Sequence, residues 1–169
     1  MKIQDIPALQ SLNETQFENL QNAGESIRLR AGDTLIERGE ERADLYILLE
    51  GELQVFVGDG GGKKEVELIR LNAPSVVGEL ELLTGQPRTA SVRAGSDAEL
   101  LMLPHDKLDA RIVDGDPATL KVMVAISRLL AGRLSSMTEK FVELENSAEP
   151  VRSHELADFR KKLFSEWTF

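Results

Sequence analysis

The segment Val77-Gly78-Glu79-Leu80-Glu81-Leu82-Leu83-Thr84-Gly85-Gln86-Pro87-Arg88-Thr89-Ala90-Ser91-Val92-Arg93-Ala94 carries most of the information in this 169-residue chain. It leaves an apolar pair, Val76-Val77, passes through Gly78 into one or two helical turns closed by Gly85, and resumes a strand-like run at Ser91. A helix this short inside a β region is a local exception with a physical use. Backbone N–H groups at the start of the turn and the helix dipole favour an anion, and Arg88 can close on that anion bidentately. Glu79 can accept from hydroxyls beside it. One ribose and one phosphate would satisfy both residues.

Short runs separated by turn residues surround this segment. Ser26–Leu29, Thr34–Ile36, Asp44–Leu49, Leu53–Val57, Val66–Leu71, Ser91–Arg93 and Ala98–Leu103 read as strands. Ala31-Gly32-Asp33, Gly39, Gly51, Gly58-Asp59-Gly60-Gly61-Gly62, Ala73-Pro74-Ser75 and Gly95-Ser96-Asp97 punctuate them. Many short strands at this spacing predict an antiparallel sandwich, roll or barrel. Before them, Ile3, Ile6, Leu9, Leu12, Phe17 and Leu20 recur at helical intervals up to Gly24, interrupted by Pro7 and restarting at Asn13 as N-cap.

After Leu103 the pattern turns helical. Asp106–Val113 forms a first helix, stopped at Asp114-Gly115, and Asp116-Pro117 opens a second with an N-cap and a proline at the first helical position. No proline follows until Pro150, which allows roughly 45 Å of helix. Met123, Leu130, Leu134, Met137, Phe141 and Leu144 fall on one 3-4 register along it, with Ser127 its single polar member. Such a stripe is the seam of a helix that pairs with another helix, here a second copy through residues 117–146. The alternative is a stripe packed on the chain's own β domain, a role that suits Val122, Val124 and Ile126 better. The chain thus divides into 1–115, the β unit with short flanking helices; 116–147, the long helix; and 148–169, an amphipathic tail with Phe159, Phe164, Trp167 and Phe169.

The full string from Val77 to Ala94 resembles the phosphate-binding cassette of cyclic-nucleotide-binding domains. Ala31-Gly32-Asp33-Thr34-Leu35-Ile36-Glu37-Arg38-Gly39-Glu40 and Leu45-Tyr46-Ile47-Leu48-Leu49-Glu50-Gly51-Glu52-Leu53-Gln54-Val55 are similar to that family's two glycine-marked strand segments. The long helix through Ala131-Gly132-Arg133-Leu134-Ser135-Ser136-Met137-Thr138-Glu139-Lys140 resembles the dimerising helix of the catabolite-activator type. The resemblance covers about residues 9 to 145. It implies a mainly β fold: an antiparallel β-roll or jelly roll (double-stranded β-helix) with an N-terminal helix and a long C-terminal helix.

Residue by residue, the resemblance implies that Glu79 holds the ribose 2′-hydroxyl and Arg88 the cyclic phosphate. Backbone amides near Gly78, Leu80 and Ala90 would line the pocket, Thr89 would offer a hydroxyl to phosphate or purine, and Thr138 would meet the adenine. Three positions depart from the family pattern. Glu81 stands where a small residue is usual, Pro74-Ser75 where Gly-Asp is common, and Met137 replaces a hydroxyl residue. A carboxylate at position 81 would repel the phosphate if it pointed inward. The implied function is a stand-alone module that senses cAMP or cGMP and signals through the long helix to a downstream protein partner. The alternative is a ligand-free interaction scaffold in which Glu79 and Arg88 pair with each other.

Composition narrows the remaining classes. With 20 Lys plus Arg against 29 Asp plus Glu, the formal charge is −9. That disfavours a polyanion held through phosphate neutralisation. Only 23 residues follow Asn146, too few for a winged helix-turn-helix, so no direct DNA binding is expected. Without cysteine there is no disulfide, thiolate metal site or cysteine nucleophile, which suits a cytoplasmic protein. No run reaches membrane-spanning length. His105 and His154 are not ligand-spaced, no cofactor is implied, and no catalytic constellation is visible. Asp109, Asp114 and Asp116 read as helix-end residues, and Glu37, Glu40, Glu41 and Asp44 as a solvated hairpin face.

Overall fold

The computed structural model describes residues 9–58 and 65–147, with side chains as far as residue 143. The first residues, the centre of the glycine-rich loop and the tail 148–169 lie outside the described residues, as do the aromatics expected on that tail. Residues to Ile126 form one compact unit, and those from Ser127 a second.

Helix α1 (Glu14–Ala23) starts at Asn13 in a capping box: Asn13 Oδ1 accepts from the Gln16 amide at 2.8 Å, and Gln16 Oε1 accepts from the Asn13 amide at 3.2 Å. Eight strands follow: β1 (Glu25–Leu29), β2 (Thr34–Ile36), β3 (Leu45–Glu50), β4 (Glu52–Gly58), β5 (Glu65–Asn72), β6 (Ser75–Val77), β7 (Ser91–Ala94) and β8 (Ala98–Leu103). The short helix α2 (Glu79–Thr84) sits between β6 and β7. Helices α3 (His105–Val113) and α4 (Pro117–Ser147) complete the order. No described helix is long and apolar enough to cross a membrane.

The strands make two antiparallel four-stranded sheets, ordered β1-β8-β3-β6 and β2-β7-β4-β5. Together with α1 and α4 they are the β-roll that the resemblance implies. Alternation along the strands decides what each face meets. Ile36, Tyr46, Leu48, Leu53, Val77, Val92 and Leu100 meet in one buried cluster fed by both sheets. Leu45, Ile47, Leu101 and Leu103 are buried too, and fall on the opposite parity of β3 and β8. The end of α1 meets that second face. A side chain at Gly24, which caps α1, would strike Leu101 and Leu103. Lys107 of α3 donates to the Ala23 carbonyl, and Lys121 of α4 to the Ser11 carbonyl and Gln16. Each of these fully buried leucines and isoleucines contributes about 1.5–3 kcal/mol of transfer free energy.

Val122 and Ile126 are buried in the first compact unit, as their off-register positions anticipated, but Val124 is half exposed. Three residues of one helix spaced by two cannot share a face. Asp116 accepts from the Thr119 amide and hydroxyl at 2.8 and 2.7 Å and from Arg111 at 2.9 Å, so it caps α4 and ties it to α3. Thr119 is wholly buried. Burial opposes ionisation of Asp116, yet the Thr119 and Arg111 hydrogen bonds outweigh it and hold the carboxyl below its usual range. Leu134 and Met137 are exposed on the second unit.

One expectation about charge is corrected. Asp44 is not part of a solvated face: it is buried, with Oδ1 accepting from the His105 amide at 3.1 Å and Oδ2 lying 2.9 Å from the Arg42 guanidinium. It supports the start of α3, whose first amides have no intrahelical acceptor.

Candidate functional site

Gly78 adopts φ +87°, which only glycine takes without strain, and turns β6 into α2. A Cβ there would lie 2.6 Å from the Asp44 carbonyl and 2.7 Å from Arg88 Nη1, so this glycine also makes room for the arginine. Gly85, at φ +65°, ends α2 with its amide donating to the Glu81 carbonyl at 2.9 Å. Beyond it the chain runs to Arg88. The Arg88 amide donates to the Glu40 carbonyl and its own carbonyl accepts from the Gly39 amide, both at 2.8 Å. The backbone of Arg88 is thereby fixed to the connection between β2 and β3.

From that anchor the side chain runs inward and is 1% exposed. Nη2 donates to the Asp44 carbonyl at 2.7 Å, and Nη1 to the Gly78 carbonyl at 3.3 Å. The guanidinium carbon lies 5.8 Å from the centre of the Tyr46 ring, close enough for a cation–π contribution. Burial, followed by the negative charge of Asp44, pushes the Tyr46 phenol upward, so it stays neutral.

The anion facing this cation is Glu81. Its Oε2 accepts from Arg88 Nη1 at 3.0 Å, and its Oε1 accepts from the Thr89 amide at 2.9 Å and the Thr89 hydroxyl at 3.2 Å. Burial would raise its pKa; the Thr89 amide, its own amide and Arg88 together outweigh that and lower it, so the group is a carboxylate. Sequence reasoning treated position 81 as a possible source of repulsion. The side chain does point inward, but into an ion pair with the cassette arginine.

Glu79 is buried as well, at the first residue of α2. Leu80 is 43% exposed, and its carbonyl accepts from the Thr84 hydroxyl at 2.8 Å. Ala90 is half-buried in the bend that leads into β7. Gly78, Glu79, Leu80, Arg88, Thr89 and Ala90 therefore all fall on α2 and the segment leading from it into β7. Thr138 belongs to the second unit, where its hydroxyl donates to the Leu134 carbonyl at 2.9 Å. Asp44, Tyr46 and Glu81 were missed as site residues. Only Glu81 left a signal in the sequence, as an acid in the cassette's first turn; the roles of Asp44 and Tyr46 depend on the fold of β3 against Arg88. Among the described residues no group of three acids or histidines could hold a metal ion.

A family model for the cyclic nucleotide-binding domain matches residues 26–113. The chain belongs to this family. A cGMP-dependent protein kinase of Caenorhabditis briggsae is 36% identical over 101 residues, 60% of this chain and 13% of that kinase. The chain thus spans only about an eighth of the length of that curated relative. The catabolite activator protein of Thermus thermophilus shares the fold, with a TM-score of 0.69 and 24% identity over 82% of this chain and 64% of that one. The regulatory subunit of a cAMP-independent protein kinase A from Trypanosoma brucei superposes with a TM-score of 0.64 and 27% identity, over 75% of this chain and 44% of that one. A mutant of the same protein, bound to cAMP in its A site, superposes equally well. It replaces a glutamate by alanine, seven positions later a threonine by arginine, and the valine after that by alanine.

Proposed function

We propose that this chain is a stand-alone regulatory module that senses a cyclic mononucleotide, cAMP or cGMP, and passes the signal through α4 to a protein partner. In this reading Arg88 and the Thr89 amide hold the cyclic phosphate, and Glu79 the ribose 2′-hydroxyl. Gly78, Leu80 and Ala90 line the pocket with backbone, and Thr138 approaches the base. The module is a cytoplasmic homodimer through residues 117–146, without catalysis or direct DNA contact.

One observation carries the reading: Arg88 and Thr89 aim three donors at a single monoanion, the Glu81 carboxylate. Donors so arranged suit a phosphodiester, which also carries one negative charge. A ligand can switch α4 only through different affinities for two arrangements of the molecule.

A second reading has its own support. The seat is already filled by a residue of the chain, so the roll could serve as an interaction scaffold with no nucleotide. The Trypanosoma protein is the regulatory subunit of a kinase described as cAMP-independent, and its cAMP-bound mutant exchanges glutamate for alanine, seven positions on threonine for arginine, and the next valine for alanine. Glu81 and Arg88 have that same separation. By spacing, this chain combines the arginine of the cAMP-bound mutant with the glutamate of its parent.

Calorimetric titration of cAMP and cGMP into the wild type and the Arg88→Ala variant tests the sensor reading. Saturable binding that Arg88→Ala abolishes is the expected result. No heat from either nucleotide up to millimolar concentration would leave the scaffold.

A further inference from the structure

We infer that the Glu81 carboxylate is a built-in competitor for the cyclic phosphate, engaging the donors that a cyclic mononucleotide would need. The inference rests on the sensor reading of the same site and adds how that site is regulated.

The geometry carries it. Glu81 is the third residue of α2, and both of its oxygens are engaged on the far side of the Gly85 turn, one on Arg88 and one on Thr89. With the Arg88 side chain 1% exposed and that of Glu81 7% exposed, water screens the pair little. An incoming phosphodiester cannot share this seat, because two adjacent anions on one guanidinium repel at close range. Entry therefore requires the carboxylate to leave.

The carboxylate is nonetheless an incomplete substitute. Arg88 Nε has no hydrogen-bond acceptor among the described residues, so the guanidinium keeps a donor that Glu81 does not use. A phosphodiester, with two unesterified oxygens, offers more acceptor capacity than the one oxygen Glu81 places on Arg88. The exchange also has a mechanical consequence. Glu81 ties α2 to the Arg88-Thr89 strand entry, and nucleotide binding would cut that tie. The nucleotide would thus report its presence by freeing α2, and its affinity is reduced by the work of displacing the acid.

The test is titration of cAMP, cGMP and adenosine into the full chain as wild type, Glu81→Ala, Glu81→Gln and Glu81→Ala with Arg88→Ala. Removing the acid should tighten both cyclic nucleotides about tenfold or more, with a smaller gain for Glu81→Gln. Adenosine, which has no phosphate, should show no gain, and adding Arg88→Ala should abolish the gain for the cyclic nucleotides. Equal affinity in wild type and Glu81→Ala, lost on Arg88→Ala, overturns the competitor while the sensor reading survives. Binding to Glu81→Ala with none to wild type at millimolar nucleotide supports the competitor and replaces the sensor by the scaffold. Absence of binding to every variant overturns both. Should Glu81→Ala fail to fold by circular dichroism, the near-isosteric Glu81→Gln decides: a gain of several-fold supports the inference, and an unchanged affinity overturns it.

Discussion

The Arg88 guanidinium and the Glu81 carboxylate meet at 3.0 Å, both side chains almost wholly buried, seven residues apart across the Gly85 turn. A buried ion pair of this kind adds little net stability over an apolar replacement, yet loss of one partner is costly. Arg88→Ala should therefore lower stability by about 3 kcal/mol, because it leaves an anion buried. Glu81→Ala with Arg88→Ala should cost less than the sum of the single changes, by roughly 1–3 kcal/mol. Denaturant unfolding of the four proteins measures that coupling, and strict additivity would show that the pair is not formed.

The lowered pKa of Glu81 sets the direction of a pH effect. A carboxyl that is more acidic folded than unfolded contributes its stability fully above the unfolded pKa, about 4.3 for glutamate. That contribution disappears as the pH falls through the lower folded value. Asp116, held down by Thr119 and Arg111, acts in the same sense. The stability difference between wild type and Glu81→Gln should hence be constant from pH 8 to roughly 5 and shrink below about 4. Urea midpoints across that range check it.

Gly78→Ala should be among the more damaging single changes in the roll. A left-handed conformation costs an alanine about 1–2 kcal/mol, and the new Cβ would also meet the Asp44 carbonyl at 2.6 Å, a backbone atom with little freedom to yield. Gly85 has the same sign of φ but open space around it. Gly85→Asn should cost less than about 1 kcal/mol. Comparable losses at the two positions by thermal unfolding would contradict the close approach at Gly78.

Asp116→Ala removes three acceptor contacts at once, to the Thr119 amide, the Thr119 hydroxyl and Arg111. We expect a loss of about 1–2 kcal/mol, the range of a strong N-cap. Asp116→Asn retains an acceptor for the Thr119 amide and should lose less. A ranking with Asn as damaging as Ala would place the effect in charge instead of capping.

Leu134 is 46% exposed and Met137 68% on the long helix. If a second copy covers this stripe, Leu134→Asp should turn a dimer into a monomer in sedimentation equilibrium. An unchanged mass from a dimeric wild type would exclude the seam.

The sequence by itself determined most of the element order, because its signals act locally; β6 (Ser75–Val77), a three-residue strand paired with β3, read only as the apolar pair Val76-Val77 after a turn. Glycine and proline punctuation marked the strands, Asn13 and Asp116-Pro117 marked two helix starts, and the Gly78–Gly85 turn stood out against β runs on either side. The cassette was legible for the same reason: Gly78, Glu79, Arg88 and Thr89 lie within a dozen residues, so their neighbourhood in space follows from their neighbourhood in the chain. What faced what was decided only by the tertiary structure. Asp44 read as one more surface acid until β3 brought its carbonyl to Arg88 and its carboxylate to α3. Glu81 read as a source of repulsion until the inward turn of α2 placed it on the arginine and the Thr89 amide. The sign of a carboxylate's effect depends on which partner comes within about 3–4 Å, since the electrostatic energy falls with distance and rises with burial. Residue order alone does not encode that distance.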